Sequence, residues 1–367
     1  MNSRDRLLNC LRHEPVDRVP ISTYELVGWN PAAWENKDPS YRRLMDTIRE
    51  STDCVYMDNP DFINGPEPEL TTAEWDEGAS HFVRRTWHAP QGDLTTLQRT
   101  DAGMHTTWTL RHLLDDIEDI DIYLSLPERP RQLDMSRFNA ARGQLGDKGL
   151  MMISLGDPIC AAAELFEMGT FLTHAITETT KIKSFLDILH ERQMRDLRQI
   201  LRHDVRDVIF RICGPEYATP PYLPPNLFPD LVTCYLQPIC REIRAAGGIP
   251  RIHAHGRIGQ IIDQLALTEA MAIDPIEPPP DGDIDLAAVK LQYGRQFCLF
   301  GNIELRELEF ADRSRIDRLV RQAMDDAKAG GGFVLMPTAA PINSPLAART
   351  EENYRQLIES ALAYGQY

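Results

Sequence analysis

The sequence predicts a single α/β domain, a (β/α)8 TIM barrel over residues 1–367 with an inserted hairpin and helix region at about residues 60–145. Short apolar, β-branched runs recur along the chain, and most of them are separated by amphipathic segments of helix length. This alternation is typical of parallel βα units, and eight units close into a barrel. The predicted strands cover residues 19–26, 53–57, 150–155, 207–212, 249–253, 270–274, 296–300 and 333–336.

Helical patterns follow several of these strands, at residues 157–179, 181–202, 225–246 and 313–329. The gap between the second and third strands is too long for one helix. Within it, residues 81–88 and 94–99 alternate in polarity on either side of Ala89-Pro90-Gln91-Gly92, which predicts a β-hairpin. We expect this insertion to lie beside the barrel mouth and to cover part of it.

The composition favours a globular protein outside membranes. Hydrophobic residues make up 43% of the chain, and 55 acidic against 39 basic residues give a formal net charge of −16. That charge disfavours nucleic acid or an anionic membrane as the main partner. The N-terminus lacks a secretory signal, and the seven scattered cysteines contain no CxxC pair, so we expect reduced thiols and a cytoplasmic location. The sequence leaves the oligomeric state open, with a homodimer among the states that it allows.

The strongest candidate for a functional site is the segment His253-Ala254-His255-Gly256, which ends an apolar strand. Side chains two residues apart on a strand share a face, so both imidazoles can converge on one point. Burial of both as ordinary core residues is the competing interpretation, but every buried ring then needs its own polar partner. The pair therefore indicates a metal or substrate site.

Functional residues of a (β/α)8 barrel lie at the carboxyl ends of its strands. Carboxylates and imidazoles that gather there shift each other's pKa, which suits acid–base chemistry or a metal. Asp157 serves equally well as the cap of the next helix, Glu216 is less suited to capping, and Glu277 before three prolines is most simply solvated. The polar residues at the predicted strand ends are Tyr24, Glu25, Asp58, Asp157, Glu216, Tyr217, His253, His255, Glu277, Asn302, Glu304 and Thr338.

A catalytic zinc site takes three protein ligands and keeps one position open. His253 and His255 supply two ligands. We take Glu304 as the third, with Glu216 or a neighbouring carboxylate as alternatives between which the sequence does not choose. Serine-hydrolase and dinucleotide-binding motifs are missing from the sequence. The remaining roles are catalysis for Glu216, Tyr24 and Asp157 and substrate binding for Glu25, Asn302 and Tyr217.

Five stretches of the chain together resemble the uroporphyrinogen decarboxylase superfamily. The resemblance implies a (β/α)8 fold and one of two activities, which are tetrapyrrole decarboxylation and zinc-dependent methyl transfer with corrinoid proteins. The stretches are residues 12–20, Gly156-Asp157-Pro158 with Ala162, Glu164 and Leu165, residues 228–238 with 253–256, Gly301-Asn302-Ile303, and residues 331–335 with 352–354 and 364–367.

The resemblance to the decarboxylases is incomplete in one motif. They carry an Arg-Gln-Ala-Gly-Arg segment that binds substrate carboxylates, whereas residues 22–28 here read Ser-Thr-Tyr-Glu-Leu-Val-Gly. This stretch has no arginine and an added acid, so a polyanionic porphyrinogen would meet negative charge at the mouth. The sequence therefore disfavours true uroporphyrinogen decarboxylation.

The methyltransferases of the superfamily hold zinc with His-x-Cys and a later Cys. His253 matches the first ligand, His255 stands where the Cys is expected, and residues 334–341 contain no later Cys. A site of imidazole and carboxylate is a stronger Lewis acid than a thiolate site. It would suit the polarisation of a methoxy, hydroxyl or carboxyl oxygen better than the activation of a thiol.

We therefore predict a metal-dependent, methyltransferase-like enzyme. It would demethylate a small methylated compound, such as a methoxylated one, with a corrinoid protein as methyl acceptor and with zinc or a similar divalent ion as cofactor. The alternative is a decarboxylase or lyase in which the carboxylates and histidines of the mouth act as acid and base without a metal. A non-catalytic binding barrel ranks third, because it needs no such cluster of mutually repelling titratable groups.

Overall fold

The computed structural model describes residues 1–65, 68–129 and 131–367, and over these residues the chain forms thirteen strands and thirteen α-helices. The strands are β1 (Cys54–Met57), β2 (Asp61–Asn64), β3 (Leu70–Glu77), β4 (Ser80–Ala89), β5 (Gly92–Asp101), β6 (Thr107–Arg111), β7 (Arg131–Asp134), β8 (Gly149–Gly156), β9 (Ile209–Cys213), β10 (Ile249–Ala254), β11 (Ala272–Pro275), β12 (Cys298–Ile303) and β13 (Phe333–Pro337). The helices are α1 (Ser3–Leu11), α2 (Arg42–Ser51), α3 (Asp119–Ser125), α4 (Ser136–Leu145), α5 (Pro158–Ala163), α6 (Met168–Thr177), α7 (Thr179–Leu201), α8 (Cys234–Ala245), α9 (Ile262–Ala266), α10 (Leu286–Tyr293), α11 (Leu305–Phe310), α12 (Arg313–Ala327) and α13 (Ala348–Tyr364).

The centre of the fold is a curled sheet of parallel strands. Its order in the described chain is β1-β8-β9-β10-β11-β12-β13, and every neighbouring pair is parallel. Helices alternate with most of these strands, as βα units require. The second to eighth predicted strands are thereby confirmed, and so is a TIM-barrel-like fold.

The first predicted strand, residues 19–26, is wrong as a regular strand. Pro20 has no N–H to donate to a ladder, and Tyr24 adopts a left-handed backbone conformation with φ 56°. The segment still bonds to both edges of the sheet. Leu335 N donates to Pro20 O at 3.0 Å, and Asp53 N donates to Ile21 O at 2.8 Å. These few bonds join β13 to β1, so that an extended segment takes the eighth position of the barrel.

Alternate residues of the barrel strands face two separate cores. Outward-facing side chains such as Phe210 and Ile252 pack against the surrounding helices. The inward-facing side chains form an apolar layer together with residues of α1, which fills the amino-terminal end of the barrel. This inner layer consists of Leu7, Leu8, Cys10, Leu11, Val55, Leu150, Met152, Ile209, Ile249, Ala272, Cys298, Phe300, Val334 and Met336.

The chain between β1 and β8 builds a separate antiparallel sheet in the order β3-β4-β5-β6, and β2 pairs with β7. The predicted hairpin is confirmed, since β4 and β5 pair from Ser80 and Asp101 to Ala89 and Gly92. At one end of this hairpin Leu94 is buried. Strand β6 is exposed along its whole length.

Two of the predicted helices are divided in the structure. Residues 157–179 form α5 and α6, because the chain leaves the helix between residues 164 and 167. Residues 225–246 begin with short 3-10 and π turns before α8, in a stretch that contains Pro224, Pro225 and Pro229. In the described part of the chain, none of the helices combines the length and the apolar character that crossing a membrane requires.

Asp53 connects α1 to the extended segment of residues 19–26, which occupies the eighth position of the barrel. Its fully buried carboxylate accepts hydrogen bonds from Arg6 Nη1 and Arg18 Nη1, both at 2.7 Å, and from Ile21 N at 3.0 Å. Buried charges are tolerated when they are paired and hydrogen-bonded in this way, and removal of one partner leaves the others uncompensated.

We expect Asp53→Asn to lower the free energy of unfolding by about 3–5 kcal/mol, because two guanidinium groups lose their buried counter-charge. Urea denaturation at pH 7 measures the change. The matched substitution Asp76→Asn, at an exposed side chain on β3, should cost less than about 0.5 kcal/mol. Equal effects of the two substitutions would contradict the structural role of Asp53.

Candidate active site

A chain of buried polar contacts crosses the carboxyl ends of β10 and β11. Arg251 and His253 project into the barrel from β10, and His253 lies opposite Asp274 of β11 in the strand register. Arg251 Nε donates to Asp274 Oδ1 at 2.6 Å, and Arg251 Nη2 donates to Oδ2 at 2.8 Å. His253 Nδ1 lies 2.7 Å from the same Oδ2. One carboxylate therefore orients both a guanidinium and an imidazole.

Burial sets the protonation state of His253, and its contact with Asp274 sets its tautomer. Burial lowers the pKa of His253 to about 4, although the neighbouring Asp274 acts in the opposite direction. Burial alone would raise the pKa of Asp274, but Arg251 and His253 outweigh burial and lower it. His253 is therefore neutral at pH 7, with its proton on Nδ1 toward the carboxylate and an unprotonated Nε2 toward the mouth.

Tyr24 and Arg211 extend this cluster across the barrel. The Tyr24 hydroxyl lies 3.5 Å from His253 Nε2 and accepts a hydrogen bond of 2.5 Å from Arg211 Nη2. Burial raises the pKa of Tyr24, so the phenol keeps its proton and can donate it to Nε2. Arg211 Nη1 also donates to Glu25 Oε1 at 3.2 Å. The barrel mouth thus contains an arginine. It comes from β9 and not from residues 22–28, where the decarboxylases of the superfamily carry theirs.

His255 has its own carboxylate. Its Nδ1 lies 2.7 Å from Glu277 Oε1, and Gly256 N donates to Glu277 Oε2 at 2.7 Å. The interpretation of Glu277 as a solvated residue is wrong, because its side chain is only 11% exposed. Burial alone would lower the pKa of His255, but Glu277 outweighs burial and raises it. At any given pH the imidazolium form of His255 is therefore more populated than that of an ordinary histidine.

The two histidines meet as their spacing predicts. The centroids of the His253 and His255 rings lie 4.6 Å apart, with the ring planes at 86°. Each Nδ1 is held by a carboxylate, so each Nε2 remains the atom that can reach a substrate or a ligand.

Asp157 and Glu216 lie at the ends of β8 and β9. Asp157 Oδ1 caps α5 by accepting from Cys160 N at 2.8 Å, so the capping interpretation is confirmed. Its Oδ2 is buried without a hydrogen-bond partner in the described chain. Glu216 Oε2 accepts from Gly214 N at 2.8 Å, and Tyr217 packs at the edge of the outer core. Burial raises the pKa of both carboxyl groups.

Gly214 makes this arrangement possible. Its φ is 132°, a conformation that side chains rarely adopt, and a Cβ atom there would stand 1.8 Å from Asp157 Oδ1. The residue has to be glycine for the Asp157 carboxyl to pack under the turn that carries Glu216.

Asn302 and Glu304 follow the end of β12. Asn302 Nδ2 donates to Ile276 O at 3.2 Å, and Thr338 Oγ1 donates to Glu304 Oε2 at 3.4 Å. Glu304 Oε1 is buried without a partner among the described residues. Burial, with the charges of Glu277 and Asp281, raises the pKa of Glu304 to about 7. The substrate role of Asn302 stays a prediction.

The residues fit only part of a metal site. The two imidazoles have carboxylates behind their Nδ1 atoms, which is the usual environment of metal-bound histidines. Over residues 1–65, 68–129 and 131–367, however, no group of three His, Cys, Asp or Glu side chains is arranged to hold a metal ion. The predicted set His253, His255 and Glu304 is therefore not such a group among the described residues. Glu304 Oε2 accepts instead from Thr338 Oγ1, which directly follows β13.

Sequence reasoning missed Arg211, Arg251 and Asp274. All three are charged residues at inward-facing positions of otherwise apolar strands. That position is itself a signal, because a charge inside a barrel needs a partner inside the same barrel. The strand-end rule passed over Arg211 and Arg251 because they precede the strand ends, and it passed over Asp274 although this residue ends the predicted strand.

Comparisons with known proteins identify the family. The sequence model of the family described as uroporphyrinogen decarboxylase (URO-D) matches residues 111–358. That range is more than half of the chain, so the protein belongs to the URO-D family. The resemblance seen in the sequence is confirmed at this level. None of the curated proteins matches the chain significantly in sequence.

Solved structures confirm the fold. A methyltransferase from Methanosarcina mazei matches with a TM-score of 0.61 and 16% sequence identity, and the match covers 99% of each chain. The Bacillus subtilis YKUI protein, which has an EAL domain, matches with a TM-score of 0.23 and 11% identity over 76% of this chain and 59% of its own. The second match is too weak to carry an argument.

We expect the protonation of Glu304 to control part of the pH dependence of stability. The unfolded chain releases this proton near the ordinary value of 4.5, and the folded chain releases it at about 7. Stability should therefore fall as the pH rises through this window, by about 1–3 kcal/mol. Glu304→Gln should remove that loss, as measured by urea denaturation at pH 5 and pH 8. An equal loss in parent and variant would contradict the raised pKa.

Proposed function

We propose that this chain is a methyltransferase that removes a methyl group from a small methylated compound and passes it to a corrinoid carried by a partner protein. The observation that carries the proposal is the histidine pair. Its two rings lie 4.6 Å apart, and each Nδ1 is held by a buried carboxylate, so that both Nε2 atoms are available at the carboxyl ends of the strands.

The fold supports this proposal over its whole length. The structure that matches over 99% of both chains is that of a methyltransferase, and methyltransferases form one branch of the superfamily that the sequence resembles. At 16% identity this likeness concerns the fold, so the activity has to be argued from the site.

The reaction needs one proton. The bond between the methyl carbon and the donor oxygen breaks, and the methyl carbon bonds to the reduced corrinoid, which supplies the electron pair. The donor oxygen keeps the electrons of the broken bond and takes up a proton. The alkoxide that a methoxy donor releases is a poor leaving group, so a positioned acid that protonates its oxygen accelerates the step.

His255 is the residue we assign as the acid. Glu277 holds its Nδ1 and raises its pKa, so the imidazolium form, which can donate a proton from Nε2, is more populated than in an ordinary histidine. His253 is neutral and accepts at Nε2, where the Tyr24 hydroxyl lies 3.5 Å away. His253 therefore holds the Tyr24 hydroxyl in place beside the donor oxygen, and His255 protonates that oxygen. Glu216, whose pKa burial raises, lies near enough to His255 to interact with its charge.

We expect His255→Gln to slow methyl transfer by about 10²–10⁴-fold, because the variant keeps a polar side chain but has no acidic proton. The assay follows demethylation of small methoxylated compounds with reduced free cobalamin as the acceptor. His81→Gln, on the exposed inserted sheet, should react at the parent rate. Undiminished transfer by His255→Gln would exclude His255 as the acid.

Zinc at His253 and His255 stays a prediction, and no step above is assigned to it. We expect any zinc bound there to be lost on dialysis against a chelator, because two imidazoles hold zinc less tightly than the three or four ligands of ordinary sites. Elemental analysis before and after dialysis, with His255→Ala beside the parent, measures this. One zinc per chain that survives dialysis in the parent alone would contradict the expectation and demand a third ligand.

A metal-free decarboxylase or lyase is the second candidate. The observation in its favour is the set of carboxyl groups with raised pKa near the mouth, namely Asp157, Glu216 and Glu304. In decarboxylation a proton replaces the departing carbon dioxide, and protonated carboxyl groups can supply it. Release of carbon dioxide from a porphyrinogen or a small carboxylic acid, without methyl transfer, would establish this activity.

A further inference from the structure

We propose that the guanidinium of Arg211 binds a carboxylate group of the substrate, in the place that the Glu25 carboxylate takes in the structure. This inference rests on the proposed function and narrows its substrate to a methylated carboxylic acid. Four features of Arg211 carry it: its position, the charge balance around it, an unsatisfied nitrogen, and the nature of its present partner.

The position of Arg211 places an anion beside the histidine pair. Arg211 lies two residues after Ile209 on β9, and Ile209 belongs to the inner apolar layer of the barrel. Its Nη2 donates to the Tyr24 hydroxyl at 2.5 Å, and that hydroxyl lies 3.5 Å from His253 Nε2. A carboxylate on Arg211 is thus one side chain away from the imidazoles that act on the other end of the substrate.

The charges inside the barrel do not balance around Arg211. Arg251 takes both oxygens of the buried Asp274 at 2.6 and 2.8 Å, and His253 shares one of them. Arg211 is left with Glu25, through a single contact of 3.2 Å from Nη1. The Arg211 side chain is 9% exposed while that of Glu25 is 40% exposed, so a buried cation depends on a partly solvated anion.

One nitrogen of Arg211 also has no partner. Nε is buried and makes no hydrogen bond in the described chain. A buried donor without an acceptor costs about 1–3 kcal/mol, so the protein groups around Arg211 leave part of its donor capacity unused. The planar guanidinium favours ligands with two coplanar oxygens, because its N–H groups donate in one plane.

Glu25 shows which ligand chemistry fits. Its own side chain demonstrates that a carboxylate can reach Arg211 from the mouth. A partly exposed ion pair with one contact is worth little, so a substrate carboxylate displaces it at small cost. The Glu25 side chain then moves into solvent, and Arg211 pairs with the substrate carboxylate inside the barrel mouth.

The test compares acids with their neutral amides. Methoxyacetate and 4-methoxybenzoate, each beside the corresponding amide, are titrated into the full chain and followed by calorimetry without any corrinoid. We expect both acids to bind and both amides to bind at least about tenfold more weakly, because only the acids carry a negative charge that can pair with the Arg211 guanidinium. Equal binding of acids and amides, or no binding of either acid, would overturn the proposal.

Two variants separate the roles of the partners. Glu25→Gln removes the competing charge and should tighten binding of the acids about tenfold, with the amides unchanged. Glu359→Gln, which removes the partner of the exposed Arg313, is the matched control and should bind like the parent. Arg211→Met should abolish the preference for acids. If Arg211→Met does not fold, the result with Glu25→Gln alone decides, and unchanged or weaker acid binding there overturns the proposal.

Failure of this inference is distinguishable from failure of the proposed function. Tight acid binding without methyl transfer would refute the methyltransferase and leave the carboxylate site in place. Methyl transfer from neutral donors that is as fast as from acids, and equally fast in Glu25→Gln, would refute the carboxylate site and leave the methyltransferase. Preference for a phosphate or sulfonate over the carboxylate of the same size would refute the carboxylate assignment.

Discussion

The hydrogen-bonded ion pair between Arg251 and Asp274 is the interaction on which the site depends. It satisfies a guanidinium that lies 1% exposed inside the barrel, and it holds His253 in one tautomer. A purely apolar interior would stabilise the barrel as well, because a buried ion pair adds little net stability. The ion pair is explained by its effect on the His253 imidazole. A carboxylate hydrogen-bonded to one ring nitrogen fixes which nitrogen of the histidine faces the substrate.

The sequence predicted the parts of the fold that follow from periodicity. Apolar runs separated by helical patterns located seven parallel strands, and the two-residue spacing of His253 and His255 predicted their convergence. The first strand could not be located in this way, because Pro20 and the left-handed Tyr24 interrupt a run whose apolar pattern looks continuous. The local pattern of polar and apolar residues predicts which face of a strand each side chain takes. It does not predict whether the backbone can form the hydrogen bonds of a β-sheet.

The composition of the site was harder to predict, because side chains from distant segments decide it. Three prolines after Glu277 indicated a solvated loop, yet the Glu277 carboxylate lies 2.7 Å from His255 Nδ1. The barrel mouth was expected to be acidic because residues 22–28 contain no arginine. In the structure, however, Arg211 of β9 places a positive charge there. Glu304 has the right chemistry for a zinc ligand, but its direction depends on the turn after β12, which spacing does not encode.

The position of helix α1 determines from which end small molecules can enter and leave the barrel. It occupies the amino-terminal end of the barrel with Leu7, Leu8, Cys10 and Leu11, so small molecules exchange at the opposite rim. Under the proposed function, a macromolecular acceptor would have to dock over that same rim. The small donor would then have to bind before the acceptor, and the demethylated product would leave only after the acceptor had dissociated. The closed amino-terminal end of the barrel would thus impose a compulsory order of binding and release on the proposed reaction.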